Sequence, residues 1–310
     1  MKLAVPDMIS NSYFPAEAAV ELGLFKAEGL DVSLELIFPV DKAYAALRDG
    51  AVDLVAGSAH SALSAFPDFR GVKLICAQAQ GMYWFLVMHA DLKAKRGEIA
   101  VVKGRSIGAA PWVDKGLRGL LVAAGIDIER DKVKIAPVPG AAPVPGAVVN
   151  FGLSAAKALE ERKIDGFWAN GMGAEVAVRR GVGTVVLDVR RGDGPKACFN
   201  YTAATIAASD ALIARAPEQA AAAVRAIVRT QAALKADVTR AAEVGKKLFP
   251  PSAAALITDL IRRDLPYYDA TLSPAFVTGM TEFARGQNIL DGEVAYEQVV
   301  ATQFAPMWKG

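Results

Sequence analysis

Hydrophobic and polar positions switch between the spacing of strands and the spacing of helices along the first part of the chain. Residues 2–5, 32–38 and 52–56 form short apolar or alternating runs that predict strands. Residues 15–28 and 41–48 place apolar side chains three and four positions apart, which predicts helices between those strands. Strands and helices that alternate in this way are typical of a sheet with parallel strands and crossover helices. The pattern therefore predicts an α/β fold.

The middle of the chain repeats part of this pattern, whereas the end does not. The segments AEGLDVSLELI and AALRDGAVDLVAG are similar to AAGIDIERDKVKIAPV and KALEERKIDGFWAN, although two unrelated βαβ units could share as much by chance. The hexapeptide APVPGA stands twice in tandem at 136–147, where its prolines predict a stiff loop. From Asp210 onward the chain predicts helices, with starts at Pro217, Ser252 and Ser273. With 310 residues, this organisation suggests two lobes and a helical tail that packs on the first lobe.

Composition and motifs exclude several classes of function. The 35 Lys and Arg residues nearly balance the 33 Asp and Glu residues, which argues against a nucleic-acid-binding protein. Two cysteines and two histidines leave little room for a disulfide scaffold or a metal site, so neither a metal nor a cofactor is predicted. The sequence lacks the G-x-x-x-x-G-K-[ST], G-x-G-x-x-G, G-x-S-x-G and H-E-x-x-H motifs. ATPase, dinucleotide-dependent, serine hydrolase and zinc protease activities therefore have no support.

Hydropathy raises the question of a membrane segment. The mean hydropathy is +0.26, and the longest run without a charge is 135–156. Because that run is interrupted by prolines, it does not predict a membrane-spanning helix. The N-terminus reaches Pro6 and Asp7 without an apolar stretch, so no signal peptide is predicted. We therefore expect either a periplasmic protein whose signal peptide has been removed or, as the alternative, a cytoplasmic protein.

Uncharged loops follow several of the predicted strands. In open sheets of parallel strands, ligands bind beyond the carboxyl ends of the strands. Amides, hydroxyl groups and aromatic rings in such loops suit an apolar pocket with a few polar anchors. The alternative is that these polar side chains satisfy the buried backbone of the loops. The candidate ligand-binding residues in these loops are Asn11, Ser12, Tyr13, Ser58, His60, Tyr83, Trp84, Trp168, Asn170 and Asn200.

A further candidate site lies where a predicted strand turns into a helix. Pro111, Trp112 and Val113 occupy this turn, and the start of a helix offers free N–H groups and a positive dipole end to an anion. Lys115 and Arg118 follow closely, and their alternative role is that of solvated helix charges. We therefore include residues 111–113 among the candidate ligand-binding residues.

His60 is the only candidate for acid–base chemistry. It follows a buried strand at the start of a predicted helix, where an imidazole could contact a ligand or move a proton. The alternative is an ordinary residue of the first helical turn that is bonded to backbone. His89, Cys76 and Cys198 are predicted to be structural, the two cysteines as buried thiols.

Several segments of the chain resemble one family of transport proteins. These segments are YFPAEAAVELGLFKAEGLDVSLE, AYAALRDGAVDLVAGSA, VVKGRSIGAAPW and AAKALEERKIDGFWA. They resemble the periplasmic substrate-binding proteins of the nitrate, sulfonate and taurine ABC transporters, a group that includes the pyrimidine-synthase-like proteins. The resemblance spans nearly the whole chain and is strongest over 13–57 and 101–170. The doubled APVPGA and the segment PWVDKG depart from the family's pattern, which argues against a simple sulfonate as the ligand.

The resemblance implies a type II periplasmic-binding-protein fold, with two α/β lobes, a cleft between them and two crossovers. Mapped onto this sequence, lobe I is 1–87 plus 203–310, and lobe II is 88–202. The crossovers near 87–90 and 201–204 would form the hinge about which the lobes close on a ligand. The implied partners are a small organic molecule and, for a periplasmic protein, the permease of an ABC transporter. A monomer is expected.

The first functional hypothesis is a solute-binding protein of an ABC importer. Its expected ligand is a small organic anion, aromatic or bearing a carboxylate or sulfonate, rather than nitrate. Ser12, Ser58, Asn170 and the helix start at 111–113 would hold the anionic group. The aromatic side chains that would cover the apolar body of the ligand are Tyr13, Trp84, Trp112 and Trp168.

The alternative hypothesis is a cytosolic enzyme on the same fold. The wider group resembles aryl-sulfinate desulfinases, which carry a nucleophilic cysteine in the first loop, where this chain has Ser12. It also resembles pyrimidine synthases, whose cysteine-rich iron motif is missing from this sequence. In this alternative His60 would serve as the acid or base of a desulfinase-like, decarboxylase-like or pyrimidine-synthesis-like reaction.

Overall fold

The structure is a computed structural model that describes residues 1–141 and 150–309. The second half of the doubled APVPGA, 142–147, lies outside these residues, so the stiffness of the loop stays a prediction. The strands are β1 Lys2–Val5, β2 Ser33–Leu36, β3 Leu54–Ser58, β4 Val72–Ala79, β5 Phe85–His89, β6 Ser106–Ala109, β7 Lys134–Ala136, β8 Gly166–Ala169, β9 Gly183–Asp188 and β10 Ala204–Ser209. The α-helices are α1 Phe14–Glu21, α2 Leu24–Ala27, α3 Val40–Arg48, α4 Val113–Ala123, α5 Phe151–Glu160, α6 Gly171–Arg179, α7 Asp210–Arg215, α8 Pro217–Ala236, α9 Arg240–Leu248, α10 Pro251–Asp264, α11 Pro274–Gly286 and α12 Tyr296–Val299.

Contacts between residues divide the chain into two units. Unit 1 comprises Met1–Met8, Tyr13–Gly81 and Asn200–Gly310, and unit 2 comprises Ile9–Ser12 and Met82–Phe199. The sequence-based boundaries placed residues 9–12 and 82–87 in lobe I and residues 200–202 in lobe II, and each of these segments lies in the other unit. Residues 82–87 belong to unit 2 because β5 starts at Phe85 and pairs with β8 and β9 of the sheet of that unit.

The sheet of unit 1 mixes parallel and antiparallel strands in the order β2-β1-β3-β10-β4. β1 runs parallel to β2 and β3, as the alternation of strands and helices predicted. β10 lies between β3 and β4 and runs antiparallel to both. The parallel strands predicted from the first part of the chain do not extend to β10, which enters the sheet after the whole of unit 2 and not from a crossover helix.

The helix predicted at 15–28 is interrupted in the structure. α1 ends at Glu21 and α2 begins at Leu24, and between them Gly23 has a φ of 73°. A residue in the left-handed region cannot continue a right-handed helix, so periodicity alone overestimated the length of this element. α8, by contrast, has the predicted bounds Pro217–Ala236, with its proline in the first turn.

Two arginines of α8 form ion pairs with Glu28 at the end of α2, within unit 1. Arg225 Nε and Arg229 Nη1 each lie 2.7 Å from a carboxylate oxygen of Glu28. The hydrogen bond from Arg225, and next that from Arg229, hold the pKa of Glu28 below its ordinary value. These contacts join the N-terminal α/β segment of unit 1 to its C-terminal helices.

The sheet of unit 2 has the strand order β7-β6-β8-β5-β9. β6 runs parallel to β7 and β8, whereas β5 runs antiparallel to β8 and β9. Because β6, β7 and β8 share one direction, the loops after them leave the sheet at one edge, where α4 and α6 begin. Across 1–141 and 150–309, every helix is too short or too polar to cross a membrane.

Candidate functional site

Two helices of unit 2 begin in direct contact. A Cβ atom built on Gly173 of α6 would lie 2.6 Å from the carbonyl oxygen of Gly152 in α5 and 2.8 Å from its Cα atom. Only glycine permits this approach. Each helix also has an asparagine cap: Asn150 Oδ1 accepts from Leu153 N at 2.8 Å, and Asn170 Oδ1 accepts from Gly173 N at 3.0 Å. Two positive helix ends therefore lie side by side.

The first loop of the chain, Ile9–Ser12, is attached to these helix ends. Asn11 Oδ1 accepts a hydrogen bond from Met172 N at 3.1 Å, and Asn150 Nδ2 donates to the carbonyl oxygen of Ile9 at 3.4 Å. Asn11 and Ser12 are 2% and 3% exposed. The structure therefore brings together three predicted site residues, Asn11, Ser12 and Asn170, within unit 2.

Three hydrogen-bonding groups at this place have no partner among the described residues. The N–H groups of Gly152 and Gly171 form no hydrogen bond within the part of the chain that the structure describes. The hydroxyl oxygen of Ser12 is buried and likewise has no partner in the described chain. Backbone donors at a helix start, with a neighbouring hydroxyl group, are the groups that bind oxyanions in proteins. We call Ser12, Gly152 and Gly171 the paired-helix site.

A buried aromatic cluster lies elsewhere in unit 2. The rings of Tyr83 and Trp84 have centroids 4.7 Å apart, and those of Trp84 and Trp168 are 6.2 Å apart. Trp84 packs against Gly116 of α4, and the guanidinium carbon of Arg190 lies 5.4 Å from the centroid of the Tyr83 ring. These aromatic side chains are at most 3% exposed. In this structure they pack against one another as core, and their contact with a ligand stays a prediction.

The turn at 111–113 differs from the predicted helix start. α4 begins at Val113, and Trp112 before it has φ 68° and ψ −35°. Pro111 therefore precedes the helix instead of forming its first turn, because the conformation of Trp112 breaks the helical path. Lys115 Nζ lies 5.4 Å from the centroid of the Trp112 ring.

Ser58 and His60 come together at the end of β3 in unit 1. The hydroxyl groups of Ser58 and Ser61 are 2.6 Å apart, and the contact of Ser58 with a ligand stays a prediction. His60 lies in a 3-10 helix, Ala59–Ser64, and is fully buried. Its ring meets that of Phe283 edge to face at 5.5 Å, and Phe283 is stacked on Tyr201 at 4.5 Å. The proposed acid–base role of His60 stays a prediction.

Tyr13 and Asn200 also lie in unit 1. Tyr13 is buried and precedes α1, where its carbonyl oxygen accepts from Ala16 N at 3.0 Å. Asn200 packs against α11, since a Cβ atom on Gly279 would lie 2.7 Å from Asn200 Cβ. These contacts do not test ligand binding. The assignment of Tyr13 and Asn200 as ligand-binding residues therefore stays a prediction from the sequence.

The burial of one acidic side chain was not predicted from the sequence. Glu17, in the first turn of α1, is fully buried, and neither of its carboxyl oxygens has a hydrogen-bond partner in the described chain. Burial, and to a lesser extent Asp7 and then Glu21, raise the pKa of Glu17 well above its ordinary value. Glu17 therefore holds a proton at a pH at which exposed glutamates have lost theirs.

The residues missed at the paired-helix site do carry a sequence signal. Asn150 and Asn170 open the segments NFG and NGMG, in which an N-cap residue is followed by glycine. Their lack of charge predicted loops, and the helix starts within them were not predicted. Among the described residues, no group of three His, Cys, Asp or Glu side chains could hold a metal ion.

The family of the chain follows from a comparison with protein-family models. The model described as NMT1/THI5 like matches residues 11–241, well over half of the chain. The chain belongs to the NMT1/THI5-like family. This membership confirms the family that the sequence motifs suggested. Among proteins with curated functions, none matches this family member in sequence.

Several solved structures have the same fold as this NMT1/THI5-like protein. A protein of Bordetella bronchiseptica is 20% identical, with a TM-score of 0.77 over 98% of this chain and 95% of that one. The alkanesulfonate-binding protein SsuA of Xanthomonas axonopodis pv. citri, bound to MOPS, is 12% identical, with a TM-score of 0.68 over 98% and 96%. A mutant of the desulfurization enzyme DSZB in complex with biphenyl-2-sulfinic acid is 16% identical, with a TM-score of 0.66 over 98% and 97%. These likenesses confirm the predicted type II periplasmic-binding-protein fold.

Proposed function

We propose that this protein is a solute-binding protein that captures a small organic anion at the paired-helix site. The observation that carries the proposal is the meeting of two helix starts at which three groups, Gly152 N–H, Gly171 N–H and the Ser12 hydroxyl, have no partner among 1–141 and 150–309. These groups donate hydrogen bonds, and the helix dipoles add positive potential without a basic side chain. Such a site favours an oxyanion, because each oxygen can accept from several donors at once.

Two of the similar structures hold ligands of this chemistry. The Xanthomonas protein binds MOPS, and the DSZB mutant binds biphenyl-2-sulfinic acid. Both ligands join an oxyanion of sulfur to an organic body. We carry the class of ligand, an organic carboxylate, sulfonate or sulfinate, to this chain as part of the proposal.

The remaining parts of the proposal come from the family resemblance. The two lobes close on the ligand about hinges where the chain passes between the units, at 81–82 and 199–200 instead of the 87–90 and 201–204 expected from the sequence. Aromatic side chains cover the organic body of the ligand. The loaded protein delivers its ligand to the permease of an ABC importer in the periplasm. It acts as a monomer without a cofactor.

The role of one backbone donor can be tested with a proline. Gly171 is the first residue of α6, and a proline is tolerated there while it removes the N–H group. Asn170 before it has φ −66° and ψ 167°, a conformation that suits the residue before a proline. We expect Gly171→Pro to weaken the binding of an organic anion by about tenfold or more, since hydrogen bonds to charged groups contribute about 1.5–3 kcal/mol.

The measurement is isothermal titration calorimetry after a thermal-shift screen with MOPS, biphenyl-2-sulfinate, benzoate, nitrate and sulfate. At a hundredfold excess over Kd, the ligand raises the free energy of unfolding by about 2.7 kcal/mol. Gly171→Ala is the matched control, because it adds a side chain and keeps the N–H group. Tight binding of nitrate or sulfate alone, or equal affinities of Gly171→Pro and the wild type, would contradict the proposal.

The enzymatic alternative rests on the fold shared with DSZB. The same titration separates it from the first hypothesis when the ligand is recovered and weighed by mass spectrometry. A solute-binding protein returns its ligand unchanged. Conversion of biphenyl-2-sulfinate or benzoate that His60→Gln abolishes would establish the enzyme instead.

A further inference from the structure

A cavity of unit 2 shares no residue with the paired-helix site. It has a volume of about 320 Å³ and lies between the start of α4 and the end of β7. Its apolar walls include Pro111, Trp112 and Pro137, and its polar wall consists of Asp114, Lys115 and Arg118. Pockets for drug-sized ligands have volumes of about 300–1,000 Å³, and this cavity lies at the lower end of that range. Its volume therefore suits a small molecule with a single ring.

The charge of this cavity favours an anion. Arg118 Nε lies 2.8 Å from Asp114 Oδ2, and Arg118 Nη2 donates to the carbonyl oxygen of Ile135 at 3.2 Å. Asp114 and Arg118 therefore neutralise each other and are fixed in place. Within the described residues, no carboxylate forms an ion pair with Lys115, whose ammonium group lies over the Trp112 ring. One positive charge remains to be balanced.

The backbone conformation of Trp112 fixes the direction in which its side chain leaves the main chain. A bulky residue with φ 68° and ψ −35° lies outside the allowed regions and close to the rare form of the three-residue turn. Hydrogen bonds on both sides maintain this conformation: Asp114 N donates to Ala110 O at 3.0 Å, and Lys115 N donates to Trp112 O at 3.3 Å. Strain of this kind is found where a side chain must be presented to a ligand.

We infer that the cavity between α4 and β7 is a second binding site, for a small aromatic ring that carries one negative charge. The anionic group contacts Lys115 and the ring lies against Trp112, Pro111 and Pro137. The aromatic face and the cation act together, because Lys115 already lies within the distance of a cation–π contact with Trp112. The inference does not depend on the paired-helix site, since it involves none of Ser12, Gly152 and Gly171. It assigns Trp112 to this cavity instead of to the ligand of the first hypothesis.

Fluorine NMR of protein labelled with 5-fluorotryptophan tests this site. The chain has four tryptophans, of which Trp84, Trp168 and Trp308 are at most 8% exposed and Trp112 is half-buried. Trp112→Phe assigns the resonance. We expect benzoate to shift the Trp112 resonance saturably, and benzamide and acetate, which lack the charge or the ring, to bind at least tenfold more weakly.

Matched lysine variants test the role of the charge. Lys115→Met should weaken the benzoate response of Trp112 at least tenfold, whereas Lys95→Met, an exposed lysine of the same unit, should leave it unchanged. Ser12→Ala alters the paired-helix site and should not affect this response. No shift of Trp112 at 20 mM benzoate, an equal loss in Lys95→Met, or a loss in Ser12→Ala alone would overturn the inference. Thermal melts of each variant confirm that it is folded.

Discussion

Glu17→Gln is expected to make the protein more stable at pH 8 and to change little at pH 4. The carboxyl group of Glu17 is buried without a hydrogen bond, and burial, then Asp7 and then Glu21, raise its pKa. Above the ordinary value of 4.5 the unfolded chain releases this proton while the folded chain keeps it. The folded state therefore loses stability as the pH rises, by up to about 1.4 kcal/mol per pH unit until the raised pKa is reached.

Glutamine carries no titrating proton, so this slope should disappear in the variant. At pH 8 we expect the free energy of unfolding of the variant to exceed that of the wild type by at least about 1.4 kcal/mol. The measurement is urea unfolding of both proteins at pH 4, 6 and 8. Glu218→Gln is the matched control, because Glu218 also lies in the first turn of a helix of unit 1, α8, and is exposed. Equal pH dependence of the wild type and Glu17→Gln between pH 5 and pH 8 would contradict this account of Glu17.

Gly173→Ala is expected to destabilise unit 2 strongly. The new Cβ atom would lie 2.6 Å from the carbonyl oxygen of Gly152 and 2.8 Å from its Cα atom, which are backbone atoms of α5 and cannot rotate away. The start of α5 must therefore move. Forced insertion of a methyl group into a packed contact costs about 1–3 kcal/mol, and we expect the upper end of that range.

The comparison is with Gly286→Ala, which makes the same change at the end of α11 where a Cβ atom meets nothing within 4 Å. That variant should be neutral or more stable by up to about 1 kcal/mol, because alanine favours helix. Calorimetric melts of the two variants measure the difference. In addition, Gly173→Ala should weaken the anion binding proposed for the paired-helix site. Melting temperatures of the two variants that agree within experimental error would refute the close contact of α5 and α6.

The bounds of helices and strands could be predicted where the local sequence pattern alone determines them. The strand at 2–5 and the helix Pro217–Ala236 have the predicted bounds, since apolar spacing and a first-turn proline specify them. The break at Gly23 was not predicted, because glycine is compatible with both a helix and a left-handed turn until its neighbours pack. The direction of β10 was also missed, since strand pairing over long sequence separations leaves no local signal.

Only part of the candidate site was predicted, because the rest depends on contacts between segments that are distant in the sequence. Asn11, Ser12 and Asn170 were identified as polar residues in uncharged loops, and the structure places them together. Gly152 was missed because its role depends on contact with α6, which a sequence does not display. Glu17 has the pattern of an ordinary acid in the first turn of a helix, which usually faces solvent. Packing of α1 against α8 and α9, more than two hundred residues later, buries the helix that carries it.

The position of β10 has a consequence for the order in which the molecule can form during synthesis. β10 separates β3 from β4 in the sheet of unit 1, yet all of 82–199 is made before it. A nascent chain that has reached Phe199 contains every strand of unit 2 and can close that sheet. Until translation passes Ser209, β3 and β4 have no strand between them and expose edges that invite wrong pairing. Unit 2 can therefore fold first on the ribosome, and unit 1, although it contains the N-terminus, must be completed last.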